Sequence, residues 1–380
     1  MLDLVNIYDY IACKVQIANV NPIRAYREQV GLSQEQMGEQ IGVTRQTLAA
    51  WEKGERAPSL VQLVEITRVL GVAPELFFQP TTDEAPQPAE SEAGLMFRAD
   101  QPSALTSFLR AHLTQKATDY AIVEQFVGEL PALPELRPLL GYDEYMVEEV
   151  ADEVRDWLGV GEACPLGDVL TLLESKGLKV IRYPLPNSIS GFSAYTDTWG
   201  GVVFINENHP TERQFFTALH ELGHLIFHRQ EYKGIQERSH KNDPQEKAAN
   251  HLASAVLLSG NIVRRELRAY RNCWLPEPLL ADMKLRYGVS MRTVLYRSAQ
   301  LGLISQKQKG QQLEVLSKKY GTEHEEHALS KPMSLTRLER LVYLALIKEK
   351  LTTSRVAEIL GKSLIEVRQD LNAWMEEEPG

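Results

Sequence analysis

The residues best equipped for chemistry are His220-Glu221-Leu222-Gly223-His224. Two histidines four apart on a helix share a face, so both imidazoles can reach one metal ion. Zn2+ is the expected ion, because it takes nitrogen ligands in a tetrahedral arrangement. Bound zinc lowers the pKa of a coordinated water, and a carboxylate such as Glu221 can then take the proton. The predicted chemistry is attack by a metal-activated water, with Glu221 placed to take its proton. Phe215, Phe216, Leu219, Leu222 and Ile226 supply the apolar face of a buried helix.

Such a site needs a third protein ligand. His228 extends the row, but histidines at i, i+4 and i+8 span about 12 Å along a helix, too far for one ion. It therefore reads as a packing residue or as a neighbour of a ligand. His240 lies in a polar loop. Glu246 is the better candidate: it opens the helix EKAANHLASAVLL, and Asn250 falls four residues on, on the same face. Glu246 can ligate while Asn250 hydrogen-bonds a ligating imidazole. Ala248, Ala249, Ala253 and Ala255 would let two helices approach closely. Tyr195, His209 and His240 stay open, unranked, as the group that stabilises the developing oxyanion. The strand Val202–Asn206 is expected to receive an extended substrate by strand addition.

The elements that must position these groups read as follows. Leu178–Tyr183 and Gly201–Asn206 have strand character. Helical periodicity covers Pro102–Leu130, Asp143–Leu158 and Leu166–Glu174, and helices dominate from Arg213 onward. Pro131, Pro134 and Pro138 interrupt regular structure between the first two helices. The Pro-, Ala- and acid-rich stretch Gln79–Gly94 reads as a linker.

Before that linker, Asn21–Phe78 parses into five short helices. Ser33 with Gln36 forms a capping box, and Thr44 caps the next helix, TRQTLAAWEKG. The turn between them gives a helix-turn-helix. The string GLSQEQMGEQIGVTRQTLAAWEKGERAPSLVQLVEITRVLGV resembles the phage-repressor, XRE-type helix-turn-helix family over about 58 residues. That resemblance implies double-stranded operator DNA as partner, with Arg45, Gln46 and Thr47 facing base edges and Ala50 a turn further on. It further implies that Gln34 grips a phosphate and that Lys53 makes a second backbone contact. Leu48, Trp51, Ile41, Leu63 and Ile66 read as core. A lone module of this size binds weakly, so a homodimer is expected.

The segments SISGFSAY, GVVFIN, RQFFTALHELGHLIFH and the downstream ExxAN together resemble the ImmA/IrrE family of zinc metallopeptidases, over about residues 143–305. The resemblance implies His220, His224 and Glu246 as zinc ligands, Glu221 as general base, and a repressor- or antitoxin-like protein as substrate. One departure is visible: the family's second helix commonly ends Leu-Leu-Met-Pro, where this chain has Leu257-Leu258-Ser259-Gly260. Glycine can stop a helix as proline would. Glu277–Ser305 holds a second helix-turn-helix-like pattern, read as a helical cover over the zincin-like lobe. A third, within Ser334–Trp374, resembles the C-terminal segment of longer chains of this kind and is expected to make protein contacts.

A net charge of −10 over 380 residues excludes a chain coated in basic charge for nonspecific nucleic-acid or membrane binding. Three scattered cysteines fit a reducing compartment, and no stretch suits a membrane span. A cytoplasmic protein is expected. The predicted architecture is mainly α with a small α+β zincin-like domain. Its parts are a helix-turn-helix domain at 1–80, a linker at 81–102, a helical connector at 103–142, the peptidase-like domain at 143–305, and a C-terminal helical module at 306–380. The functional expectation is a DNA-binding regulator with a zinc peptidase domain. The rival is a regulator or antitoxin whose zincin domain only senses or scaffolds.

Overall fold

The computed structural model of the chain describes residues 23–24, 26–27, 32–70, 96–98, 107–129, 133–139, 141–197, 199–230, 243–321, 325–334 and 336–376. The chain divides into two compact units, residues 1–92 and 93–380.

In the first unit, α1 (Gln34–Gln40), α2 (Arg45–Glu52) and α3 (Leu60–Leu70) are laid out. The capping box forms as the sequence predicts: Ser33 accepts from Gln36 N–H while the Gln36 side chain accepts from Ser33 N–H. Thr44 caps α2 by accepting from Thr47 N–H. Ile23, Met37, Leu48, Trp51, Leu63 and Ile66 are buried together, whereas Ile41, expected in the core, is only half-buried at the end of α1. Gly38 explains how closely the helices meet. A Cβ there would lie 2.7 Å from the Val43 carbonyl oxygen, which is backbone and has little room to retreat. Gly38→Ala should therefore destabilise this unit by about 1–3 kcal/mol through overpacking. Faster hydrogen exchange at the α1 and α2 amides, with the second unit unchanged, is the expected reading.

The second unit is built on a four-stranded sheet of β1 (Met96–Arg98), β2 (Lys179–Tyr183), β3 (Gly191–Thr196) and β4 (Gly200–Asn206), in the order β1-β3-β4-β2. Only β2 and β4 run parallel. Strand alternation divides the side chains between two cores. Val180, Val203 and Ile205 enter one core together with α5 (Glu144–Leu158), α6 (Val169–Ser175), α7 (Thr211–Phe227) and α8 (Pro244–Leu257). Helices α9 (Gly260–Glu266), α10 (Glu277–Tyr287), α11 (Met291–Gln300) and α12 (Gln306–Tyr320) continue that layer. Ile181, Phe192, Ala194, Val202 and Phe204 enter the other core, against α4 (Ser107–Val127), α13 (Arg337–Ile347), α14 (Thr353–Leu360) and α15 (Leu364–Glu376).

Several expectations change here. The segments read as a connector and as a C-terminal module form one layer over the sheet's second face instead of standing apart. The reason is that a sheet with apolar residues on both faces must be covered on both. Arg355 spends its charge on Asp119 of α4, at 2.5 Å. The α10–α11 pair packs on the helices of the first core as the predicted cover over the lobe, and Arg297 is buried there against Glu148, at 2.5 Å, and the Leu258 carbonyl. Strand β1 falls inside the stretch read as linker. Strand β3 falls on the SISGFSAY motif, a segment outside the two strands that the sequence predicts. Finally, β4 is an inner strand, hydrogen-bonded to β3 and β2. Its backbone groups are spent on both sides, so it cannot receive a substrate strand. No helix among the described residues is long and apolar enough to cross a membrane.

Candidate metal centre and nucleic-acid interface

Helix α7 carries His220, Glu221 and His224, all buried, beneath the sheet face that holds Val203 and Ile205. Two glycines set the close contacts around it. A Cβ at Gly191 would lie 2.6 Å from Thr217, and one at Gly223 would lie 3.1 Å from the Cα of Ala249. Thus Gly223, an interior residue of the motif itself, joins the buried Ala248, Ala249 and Ala253 in bringing α8 against α7. Helix α8 is fixed from its other side by His251, whose Nδ1 lies 3.0 Å from the Tyr142 hydroxyl and Nε2 2.8 Å from Glu148.

That packing brings three of the predicted residues together. His220 Nε2 lies 3.0 Å from His224 Nε2, 3.3 Å from one oxygen of Glu246, and His224 Nε2 lies 3.2 Å from the other. Donor atoms bound tetrahedrally at zinc distances sit about 3.3 Å apart, so these separations fit one ion. The groups behind them fit as well. Asn250 Oδ1 lies 3.1 Å from His220 Nδ1. With that oxygen as acceptor, Nδ1 would carry the proton and leave the Nε2 lone pair to face the cluster. His228 sits behind His224, Nδ1 to Nδ1 at 3.1 Å, and so takes the neighbouring position that helix geometry left to it. His220, His224 and Glu246 form a cluster able to hold a metal ion.

Sequence reasoning missed Ser193. Its Oγ donates to Glu221 Oε2 at 2.5 Å, from the middle of β3. The signal was the alternation Phe192, Ser193, Ala194: the apolar pair faces the second core, so Ser193 faces α7. Removing this bond by Ser193→Ala should leave metal content unchanged and slow any Glu221-dependent hydrolysis about tenfold, the scale of one hydrogen bond to a charged group. A kcat that falls while KM holds would be the expected split. Tyr195, two residues on, shares that face of β3 by alternation, with the Arg229 guanidinium 5.3 Å over its ring. His209 stands two residues before α7 and is eleven residues from His220, roughly 16 Å along the axis. It bonds instead to the Asn187 carbonyl, at 3.3 Å, and is not brought to the cluster. His240 lies outside the described residues.

In the first unit, Arg45 and Gln46 are exposed on the first turn of α2, and Thr47 is half-buried, its hydroxyl 2.9 Å from that of Thr44. Gln34 is anchored: its Nε2 donates to Glu52 at 2.8 Å, and Glu52 is held in turn by Arg27 at 2.5 Å. One N–H of that amide is thus spent, and the second is left for another acceptor. Lys53 is exposed just after α2, 3.9 Å from Glu55.

This architecture is that of a helix-turn-helix unit joined to a zincin-like domain that carries a His/Glu cluster. Residues 173–299 match the family model Peptidase_M78, IrrE N-terminal-like domain, and residues 23–77 match the Helix-turn-helix model. The chain is 51% identical over 49 residues to an uncharacterized HTH-type transcriptional regulator of Methanothermobacter thermautotrophicus, covering 13% of this chain and 71% of that one. It is 43% identical over 58 residues to the uncharacterized HTH-type transcriptional regulator YgzD of Bacillus subtilis, covering 15% and 88%. A third such regulator, of Methanocaldococcus jannaschii, is 39% identical over 64 residues, covering 17% and 97%. The chain belongs to the XRE-type helix-turn-helix family of transcriptional regulators and carries, fused to that domain, an IrrE-like domain of the M78 peptidase family.

Proposed function

We propose that this DNA-binding regulator hydrolyses a peptide bond in a partner protein, a repressor- or antitoxin-like one, at a zinc ion held by His220, His224 and Glu246. The observation that supports it most is the convergence of two Nε2 atoms and a carboxylate within 3.3 Å of one another, with Glu221 one residue along the same helix. When bound, zinc would polarise the scissile carbonyl and acidify a water. Asn250 and His228 keep the two imidazoles oriented. Glu221, steadied by Ser193, takes a proton from the attacking water and returns it to the leaving amine.

The DNA side of the proposal assigns Arg45 and Gln46 to base edges, with Thr47 beside them and Gln34 and Lys53 to phosphates. In a gel-shift series on the chain's own promoter, Arg45→Ala and Gln46→Ala should each cost about 1–3 kcal/mol and relax sequence preference. Lys53→Ala should weaken binding evenly across sequences.

The test of the whole reading compares wild type with Glu221→Gln. Each is assayed for bound zinc and then incubated with the repressor- or toxin-like protein encoded beside it. Zinc in both, and cleavage by wild type alone, is the expected result. Zinc in both with no cleavage by either would replace hydrolysis with a sensing role for the cluster.

A further inference from the structure

The position of β1 bears on what the peptidase-like site binds. A peptide offered to Glu221 has to lie extended beside it, and the economical way to hold an extended peptide is to pair it with a sheet edge. β3 is the strand whose side chain touches Glu221, through Ser193. Its inner side is spent on β4. Among the described residues the sheet's other edge is that of β2, two strand spacings away from β3, roughly 10 Å, on the far side of β4. The outer side of β3 is therefore where a substrate strand could pair within reach of Glu221.

That side is already taken. Met96, Phe97 and Arg98 run antiparallel along it, in register with Tyr195, Ala194 and Ser193. Arg98 thus stands opposite the residue that bonds Glu221. The occupant comes from the chain itself, four residues into the second unit and directly after the acidic, proline-rich stretch. A strand of three residues is at the short end of what sheets contain, which suits an occupant that has to leave.

We propose that the outer edge of β3 is an extended-peptide binding surface, and that Met96–Arg98 covers it in cis as a stand-in for the substrate strand. The proposal rests on the hydrolytic reading for the purpose of that edge. Its ligand class is any peptide able to pair antiparallel with Ser193–Tyr195. Its consequence is that partner binding and release of β1 are one competition. A tethered segment competes at an effective concentration in the millimolar range, so an untethered peptide is at a disadvantage until the tether lets go.

The experiment uses the full chain with Glu221→Gln throughout, so that binding is read without cleavage. The probe is a fluorescein-labelled peptide of the sequence AGLMFRAD, residues 93–100, followed by anisotropy. In an F97P/R98P chain the peptide should bind at least tenfold more tightly than in the chain with β1 intact. Adjacent N–H groups of a strand point to opposite sides, so the two prolines together must remove one bond to β3. For the same reason only one of the single variants, F97P or R98P, should release the edge, whereas general loosening by proline would act in both alike. Hydrogen exchange at Ser193–Tyr195 should rise in the double variant with β2 unchanged. Equal affinity for both chains, binding to neither, or matched effects of the two single variants would overturn the proposal. Tight binding to F97P/R98P together with an absence of cleavage by chains retaining Glu221 would leave this edge assigned and remove the hydrolytic reading alone.

Discussion

A Glu246→Ala chain should come out of purification without stoichiometric zinc, while an Asn250→Ala chain should keep it with an affinity about 10–100-fold lower. The two residues are one helical turn apart on α8, and both touch His220, so a variant series that only disturbed packing would treat them alike. Their chemistry separates them. Glu246 offers two oxygens to two imidazoles, 3.3 and 3.2 Å away, and is the sole anion of the cluster. Without it the site keeps two neutral nitrogens, fewer than the three protein ligands a catalytic zinc requires. Asn250 would not be a ligand; its Oδ1, 3.1 Å from His220 Nδ1, would keep Nε2 turned inward. Removing that hold costs orientation and basicity, not a ligand. Metal quantification after dialysis, with competition against a chromogenic chelator for the Asn250 variant, reads both effects. A Glu246→Ala chain that retained one equivalent of zinc would remove Glu246 from the site.

How much of this was legible in the sequence depends on how local each signal is. His220, Glu221 and His224 lie within one helical turn and a fraction, so their spacing alone places them on a common face. Glu246 and Asn250 could be read because they too lie four apart and because alanines flank them, a composition that anticipates close helix packing. The same holds for Ser33 with Gln36 and for Thr44, whose caps are bonds over three residues. Ser193 escaped because its meaning lies 28 residues away on another element. The place of β4 inside the sheet escaped for a similar reason: an apolar strand reads alike at an edge or in the middle, and only pairing with β2 and β3 distinguishes them. The strand β1 was hidden by composition, since three residues beside a disorder-like stretch carry no periodicity. The largest change concerns the C-terminal helices. Their amphipathic pattern says that each has a buried face, but it cannot say against what, and helix-turn-helix spacing suggested a module where the sheet needed a cover.

The second core makes that cover integral, and its weakest tolerance should lie at Glu124. This carboxylate of α4 is nearly inaccessible and stands between two buried cations, 2.7 Å from Lys179 Nζ of β2 and 2.6 Å from Arg337 of α13. The Tyr120 hydroxyl continues the network by donating to Glu174 of α6, which also accepts from Arg337 N–H. Burial, then the nearby Glu174 carboxylate, pushes the Tyr120 hydroxyl pKa far up, so it stays a donor at any working pH. Burial pulls the Lys179 ammonium down and Glu124 holds it up, with burial the stronger of the two. Glu124→Ala would take the buried carboxylate away from both cations, leaving Arg337 the Tyr120 hydroxyl at 3.3 Å and Glu129 at 4.0 Å, and should destabilise the second unit by about 3–5 kcal/mol. Replacing the three charges together, as E124L/K179M/R337M, should recover most of that loss, because the penalty comes from uncompensated charge and not from missing attraction. Urea unfolding followed by tryptophan fluorescence checks both, since four of the five tryptophans, Trp157, Trp199, Trp274 and Trp374, belong to this unit. If the helices from α13 onward were a detachable module, Glu124→Ala would shift a separate minor transition and leave the sheet's own unfolding midpoint where it was. A single transition moving as a whole is what one continuous core, shared by α4, the sheet and α13, requires.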